Sequence, residues 1–526
     1  MSSPEAVALV ATGLLLTLTI WLALRDEGWR RPRGRGVDPQ RRAVAKLGIV
    51  LSIGLVGLAG RLLYVSMVRA NAVRTRTGAD TKGDVLSNPR VIAASLNADR
   101  GNILDKDGGI MAETSRQGGT PRREFHAQEA AHVLGYFSPL RYGFDGIERS
   151  RNDALSGTDP LTVEEAIRSI VRSSGGDGHD VRLTIDPDLQ QRAANLLSQT
   201  TGSATLIEPR SGRILAMASS PAYDPNALTT NAQGDIASAD AAWQELLAND
   251  NRPLLMRPTS GLYPPGSTFK VFTAAAAIDA GSVQPDTVFE DTGELTVNGR
   301  VIPEFNRPDE TRTQWTVAEG LAWSLNVVYA QIGLTLGPEK FMDAAHQFGI
   351  GETIPFEFPV ESGQVAGQHS LDDEVALADT AFGQGELLVT PLHMALVMCA
   401  IANGGRMPKP ILVDAVLNPD GSTSTRSEPS TWRRPISAQT AGSILSMLYE
   451  SVGYGYASRA AIAGLNVAGK TGTAESGREA PHGWFIGSAG VDAPSVVVSV
   501  CLDYGGEGGG LALDIGRELL AAAAMP

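Results

Sequence analysis

Tyr263-Pro264-Pro265-Gly266-Ser267-Thr268-Phe269-Lys270-Val271-Phe272-Thr273-Ala274-Ala275-Ala276-Ala277-Ile278 is the stretch that decides how this 526-residue chain is read. Its opening suits neither a strand nor a helix interior, because two prolines lack N–H donors and a glycine follows. It does suit the abrupt start of a helix. From Ser267 onward the alanine-rich run is strongly helix-forming. Ser267 and Lys270, three apart, then share a helix face, where an amine can reach a hydroxyl. The hydroxyl also lies at a helix N-terminus, where the dipole favours developing negative charge. A serine is a poor nucleophile until a nearby base takes its proton. Lysine can be that base once desolvation or a neighbouring cation lowers its pKa, whereas arginine stays charged. The chain holds 7 lysines against 37 arginines, so a lysine at this spacing stands out.

Two further strings follow in order, Ser324-Leu325-Asn326 and Lys470-Thr471-Gly472-Thr473. Each is weak alone: Ser267 could simply cap a structural helix, Asn326 could cap another, and Lys470 could be a surface lysine. Together they make the S-x-x-K, S-x-N and K-T-G set found in β-lactamases and penicillin-binding proteins. They supply the parts of an acyl-transfer site from three separate regions of the chain.

Composition narrows the alternatives. The formal net charge of −14 and the absence of interleaved basic and aromatic residues argue against a nucleic-acid partner. Cys399 and Cys501 lie in apolar runs and read as buried free thiols, with a disulfide left open. No cluster has metal-ligand spacing, so no metal and no cofactor is expected. Residues 6–24 carry no charge and are long enough to span a bilayer, and a second apolar segment covers 47–68, interrupted by Arg61. The intervening loop 25–46 is rich in arginine, which by the positive-inside rule places it in the cytoplasm. Everything after about residue 70 is then extracytoplasmic, on a protein held in the cell membrane by two N-terminal helices.

The remaining order of elements predicts an α+β protein. Residues 69–180 are polar and glycine-rich and read as a small pedestal domain. A hairpin follows, Ser203-Ala204-Thr205-Leu206-Ile207 and Arg213-Ile214-Leu215-Ala216-Met217-Ala218 around the turn 208–212. A helix-rich middle runs from about 267 to 405. Strands return at Asn466-Val467-Ala468, Trp484-Phe485-Ile486-Gly487 and 495–502, before a last helix over about 511–524. The expected organisation is a first membrane helix within 1–24, a basic loop 25–46, a second membrane helix 47–68, a pedestal 69–180 and a catalytic domain 181–526.

From about residue 80 onward the chain resembles the class B penicillin-binding proteins, the monofunctional peptidoglycan transpeptidases. Beyond the three strings, the resemblance rests on Asn88-Pro89-Arg90, Arg100-Gly101-x-Ile103-x-Asp105 and Gly143-x-x-Gly146-x-Glu148 in the pedestal. Further on, Tyr223-Asp224-Pro225-Asn226, Phe382-Gly383-Gln384-Gly385, Thr390-Pro391 and His482-Gly483-Trp484-Phe485-Ile486-Gly487 also match. The short pedestal is most like the actinobacterial penicillin-binding protein A subgroup. The family usually has one membrane helix, whereas two are read here.

The resemblance implies the serine β-lactamase and penicillin-binding-protein transpeptidase fold, an antiparallel sheet flanked by helices. It implies that Ser267 attacks a D-Ala-D-Ala stem peptide, with Lys270 as base, Ser324 relaying a proton, Asn326 orienting Lys270, and Lys470 supplying positive charge. Thr471, Gly472 and Thr473 would bind the substrate, and the N–H groups of Ser267 and Thr473 would form the oxyanion hole. Peptidoglycan stem peptides, β-lactam antibiotics and a membrane-embedded SEDS-type glycosyltransferase are the implied partners, in cell-wall synthesis during division or elongation. A class A β-lactamase would need a deacylating glutamate in a Glu-x-x-x-Asn loop; Glu352, Glu357 and Glu361 lack the pattern and read as solvated loop carboxylates. A catalytically dead scaffold would have lost Ser267 or Lys270, and neither is lost; a penicillin sensor would need a cytoplasmic output domain, and the loop 25–46 is too small to fold as one.

Overall fold

The structure, a computed structural model, describes residues 99–157 and 178–525 except 118–119, 232–234, 478–479 and 491–492, with isolated positions before residue 99. The expected membrane segments 1–24 and 47–68, the loop 25–46 and Asn88-Pro89-Arg90 lie outside the described residues, those isolated positions aside. Among the described residues no helix is long and apolar enough to cross a membrane. The chain divides into two units, Met1–Ala94 and Ser95–Pro526. In the first, Gly78–Ala79 pairs antiparallel with Val85–Leu86.

In the second unit the predicted hairpin forms as β1 (Gly202–Ile207) and β2 (Ile214–Ser220). Distant sequence supplies β3 (Asn466–Ala474), β4 (His482–Gly490) and β5 (Val496–Leu502). They make one antiparallel sheet in the order β2-β1-β5-β4-β3, so the strand bearing Lys470 is an edge. β5 is buried along its whole length. Its β-branched run suits a strand, and the period of two divides it between two cores. Val496, Val498, Val500 and Leu502 pack with Leu513 and Leu519 of the last helix, Leu511–Ala524. Val497 and Cys501 face the larger core, which contains the helix Pro391–Ala402. That helix is buried from Pro391 to Ile401, as expected of one that is apolar all round. Both cysteines are free and buried.

The helical middle joins β2 to β3 and seats α1 (Lys270–Asp279) in the interior, with every residue from Lys270 to Ala277 buried. Small alanines let neighbouring helices approach closely, and Phe272 fills the space behind them. Its ring lies 5.4 Å from Phe341 and 5.2 Å from Phe348. α2 (Asn326–Leu336) packs alongside.

A second sheet runs across the expected pedestal boundary at 180/181. Its order is Thr423–Arg426, Val413–Leu417, Asp180–Leu183, Ile103–Leu104, Ile110–Gln117, Thr120–Phe125. Asp180–Leu183 pairs antiparallel with Val413–Leu417 on one side and parallel with Ile103–Leu104 on the other. The pedestal landmarks meet in a buried ionic cluster. Glu148 is bound by Arg100 and Arg123, both at 2.6 Å, and all three side chains are at most 1% exposed. Burying these charges is tolerable only because each finds its counter-ion.

Candidate active site

The Pro264-Pro265 turn that precedes Ser267 is pinned from several sides. Tyr263 exchanges backbone hydrogen bonds with Val389 at 3.0 and 2.9 Å, and the Trp484 indole N–H donates to Pro264 O at 3.0 Å. Gly266 N–H donates to Gly383 O at 2.9 Å, and Gly266 has φ +53, a left-handed conformation that favours glycine. Ser267 follows in a short 3₁₀ turn, Gly266–Phe269, that runs into α1. The predicted helix start is therefore present, with a tighter first turn than an α-helix. Ser267 is half-buried and lines a cavity of about 720 Å³ together with Ser324, Asn326, Thr471 and Thr473.

Lys270 lies beneath that cavity, fully buried. Its Nζ donates to Ser324 O at 2.6 Å and to Asn326 Oδ1 at 2.7 Å, with Ser324 Oγ at 3.4 Å. A neutral amine has two N–H groups and one lone pair. The two short bonds occupy both N–H groups and leave the lone pair for a hydroxyl. Burial pulls the Lys270 ammonium down from an ordinary 10.5 to about 7, while the charge of Glu304 pulls it back up. The sequence reading allows two causes for a lowered lysine, desolvation or a neighbouring cation. In the structure burial is the leading cause, and the charge that opposes it belongs to a residue outside the three strings.

Ser324 joins the two lysines. Its φ of +64 is uncommon for a non-glycine residue and aims its carbonyl at Lys270. Its Oγ accepts a hydrogen bond from Lys470 Nζ at 2.8 Å. Lys470 is also fully buried, and its second bond, to Thr471 O, is 3.0 Å long. Burial first, and the charge of Lys270 second, push Lys470 well below the usual lysine range. Two such ammonium groups bridged by one hydroxyl cannot both stay charged cheaply. A carboxylate arriving beside Lys470 would favour its ammonium form.

β3 meets the nucleophile turn without clearance. A Cβ on Gly472 would lie 2.8 Å from Pro265 O and 3.0 Å from Thr268 N, so this position must be glycine if the turn is to stay in place. Thr473 is exposed to the cavity, and its Oγ1 accepts the N–H of Gly508 at 3.1 Å, which leaves its own O–H free to donate.

The structure also brings in residues that the sequence reading did not single out. Phe305, 82% exposed, forms part of the cavity wall beside Asn306. Arg300, Asp379, Glu475 and Glu507 add charge to the lining. Of the glutamates weighed as deacylation groups, none lines this cavity. Glu352 pairs with Arg433. Glu357 is not the solvated carboxylate expected: its side chain is 9% exposed and accepts the N–H groups of Leu412 and Val413. Among the described residues no cluster of His, Cys, Asp or Glu is arranged to hold a metal ion.

Two families match the chain. One, described as the penicillin binding protein transpeptidase domain, covers residues 202–521, and the other, the penicillin binding protein A dimerisation domain, covers 100–181. The peptidoglycan D,D-transpeptidase PbpA of Mycolicibacterium smegmatis is 33% identical over 493 residues, spanning 88% of this chain and 96% of that protein. Penicillin-binding protein A from Mycobacterium tuberculosis, solved as a ceftriaxone acyl-enzyme complex, superposes with a TM-score of 0.76 at 30% identity. It covers 82% of this chain and 99% of that one. The penicillin G acyl-enzyme complex of the same protein gives a TM-score of 0.74 over 81% of this chain and 99% of that one, again at 30% identity.

Proposed function

The chain belongs to the penicillin-binding protein transpeptidase family, and from that premise we infer a peptidoglycan D,D-transpeptidase that β-lactams inhibit. It cross-links stem peptides in cell-wall synthesis. The observation that carries this reading is that Ser267, Ser324 and Asn326 line one cavity while the buried Lys270 and Lys470 both hydrogen-bond to Ser324.

Ser267 Oγ attacks the carbonyl between two terminal D-alanines while its proton passes to the Lys270 lone pair. The tetrahedral oxyanion is held by backbone N–H groups of Ser267 and Thr473, each worth about 3 kcal/mol in comparable sites. The C–N bond breaks as Ser324 gives its proton to the departing amine and takes in its place the one held by Lys270, 3.4 Å from Ser324 Oγ, so that both groups return to their resting forms. D-alanine leaves, and the acyl group remains on Ser267. An amine of a second stem peptide then takes the acyl group and returns a proton to Ser267. Lys470, with Thr471 and Thr473, receives the terminal carboxylate of the donor peptide, whose charge favours the ammonium form of Lys470. In a β-lactam the leaving nitrogen stays tethered after the ring opens, so it goes on occupying the place the acceptor amine needs.

The basic loop 25–46 and the two apolar segments beside it support membrane anchoring, with the catalytic part outside the cytoplasm. The glycan strands to be cross-linked come from a partner, which we assign as a membrane-embedded SEDS-type glycosyltransferase on family resemblance. Its absence from the full-length protein purified from solubilised membranes would count against that assignment. The test of the central reading is covalent labelling. A fluorescent penicillin should label the protein at Ser267 and persist for many minutes; Ser267→Ala labelling as strongly as the native protein would overturn it.

A further inference from the structure

Glu304 belongs to none of the three strings, yet it is the carboxylate whose charge Lys270 feels most. It follows the strand Arg300–Pro303, turns inward and is 9% exposed. Its Oε1 accepts the N–H groups of Phe305 and Asn306, both at 3.0 Å. Its Oε2 accepts the N–H of Val327, also at 3.0 Å. Val327 lies in the first turn of α2, whose own N-cap residue, Leu325, offers no side-chain acceptor. A carboxylate from another segment therefore caps this helix, in the position where negative charge is favoured. The same turn reaches Lys270 by a second route. Asn306 Nδ2 donates to Ser324 O at 3.2 Å, the carbonyl that also accepts from Lys270.

Both acceptors of Lys270, Ser324 O and Asn326 Oδ1, are thus carried on backbone that Glu304 and its neighbour tie down. We propose that Glu304 is a positioning residue for acylation: it clamps the start of α2 so that Lys270 keeps its acceptors, and its charge is the counter-ion for the ammonium formed when Lys270 takes the Ser267 proton. Glu304 exchanges no proton in this step. The other groups facing Lys270 are Lys470, from β3 through Ser324 Oγ, and the Tyr329 ring of α2, whose centroid is 5.8 Å from Nζ. Glu304 itself faces Lys270 and Asp291. Burial pushes its carboxyl up; Lys270 and the N–H groups of Val327 and Asn306 draw it back.

The inference rests on Ser267 and Lys270 acting as nucleophile and base, and the test separates the two ideas. The second-order rate of acylation by a fluorescent penicillin is measured across pH for the full-length protein and for Glu304→Gln, Glu304→Asp and Asn306→Ala. Glu304→Gln should slow acylation about tenfold or more, since misplacing a reacting group is costly. It should also move the acidic limb of the profile down by about 1 pH unit, because Lys270 loses the charge that holds its proton. Glu304→Asp keeps the charge and should leave the limb in place. Asn306→Ala cuts only the bond to Ser324 O and should lower the rate without moving the limb. A limb that stays fixed in Glu304→Gln overturns the counter-ion role, and normal rates in Asn306→Ala overturn the clamp. Should Glu304→Gln not fold, a limb that moves in Glu304→Asp as well overturns the counter-ion role. Native protein that never labels at Ser267 would instead sink the reading beneath the inference.

Discussion

Replacing Lys270 with methionine should stabilise the protein at low pH while abolishing acylation. The side chain is fully buried, and its ammonium form is held down from 10.5 to about 7. At 1.36 kcal/mol per pH unit, that difference is worth about 5 kcal/mol against the folded state once the group is protonated. The sign follows from linkage. A lysine whose pKa is lowered by folding makes the unfolded chain the better proton binder. Stability therefore falls as pH drops from the unfolded value toward about 7 and is flat below it. Near pH 10 the cost is only about 1 kcal/mol, so about 4 kcal/mol develops between pH 10 and pH 6. Methionine fills similar volume but gives up the bonds to Ser324 O and Asn326 Oδ1, at about 1.5 kcal/mol each. The two terms cross. Lys270→Met should be about 2 kcal/mol less stable than the native protein near pH 10 and about 2 kcal/mol more stable near pH 6. Relief of Lys470 from the opposing charge acts in the same direction at low pH. Urea unfolding of both proteins at several pH values, read as a difference, removes groups that titrate alike in each. Parallel stability curves from pH 6 to 10 would refute the claim that a buried, proton-poor lysine sits here.

Two further outcomes are expected. Glu148→Gln removes the counter-ion of two buried arginines, with side chains 1% exposed, and should destabilise the protein by about 3–5 kcal/mol; a loss under about 1 kcal/mol in urea unfolding would contradict this. Protease added to intact spheroplasts should digest the chain beyond about residue 70, and protection of that part with cleavage inside 25–46 would reverse the topology argument.

Much of the catalytic part was legible because its signals are local. The hairpin at 202–220, the strand at 496–502 and the helix at 511–524 announce themselves by period and composition, and they fall close to where they are read. Ser267 and Lys270 were found because their spacing is a property of one turn. Glu304 could not be found that way. It is one carboxylate in a polar loop, and what matters about it is the N–H it meets 23 residues later. Lys270's shorter acceptor is a backbone carbonyl, which has no sequence signature and depends on the φ of Ser324. The sheet across the pedestal boundary was hidden for a related reason: the strands that carry it across, Ile103–Leu104, Asp180–Leu183 and Val413–Leu417, have two to five residues and little pattern, and their partners lie far along the chain.

Those distant pairings also set an order of assembly. Asp180–Leu183 needs Val413–Leu417 beside it, and β1 needs β5. The first pairing closes a loop of well over two hundred residues and the second a longer one, so neither sheet is complete until most of the chain has been made. The pedestal, although nearly all of it is made first, waits with an open strand edge for residues of the catalytic part. During that wait the open edge of Asp180–Leu183, which Val413–Leu417 later covers, is the stretch most in need of shelter from other chains.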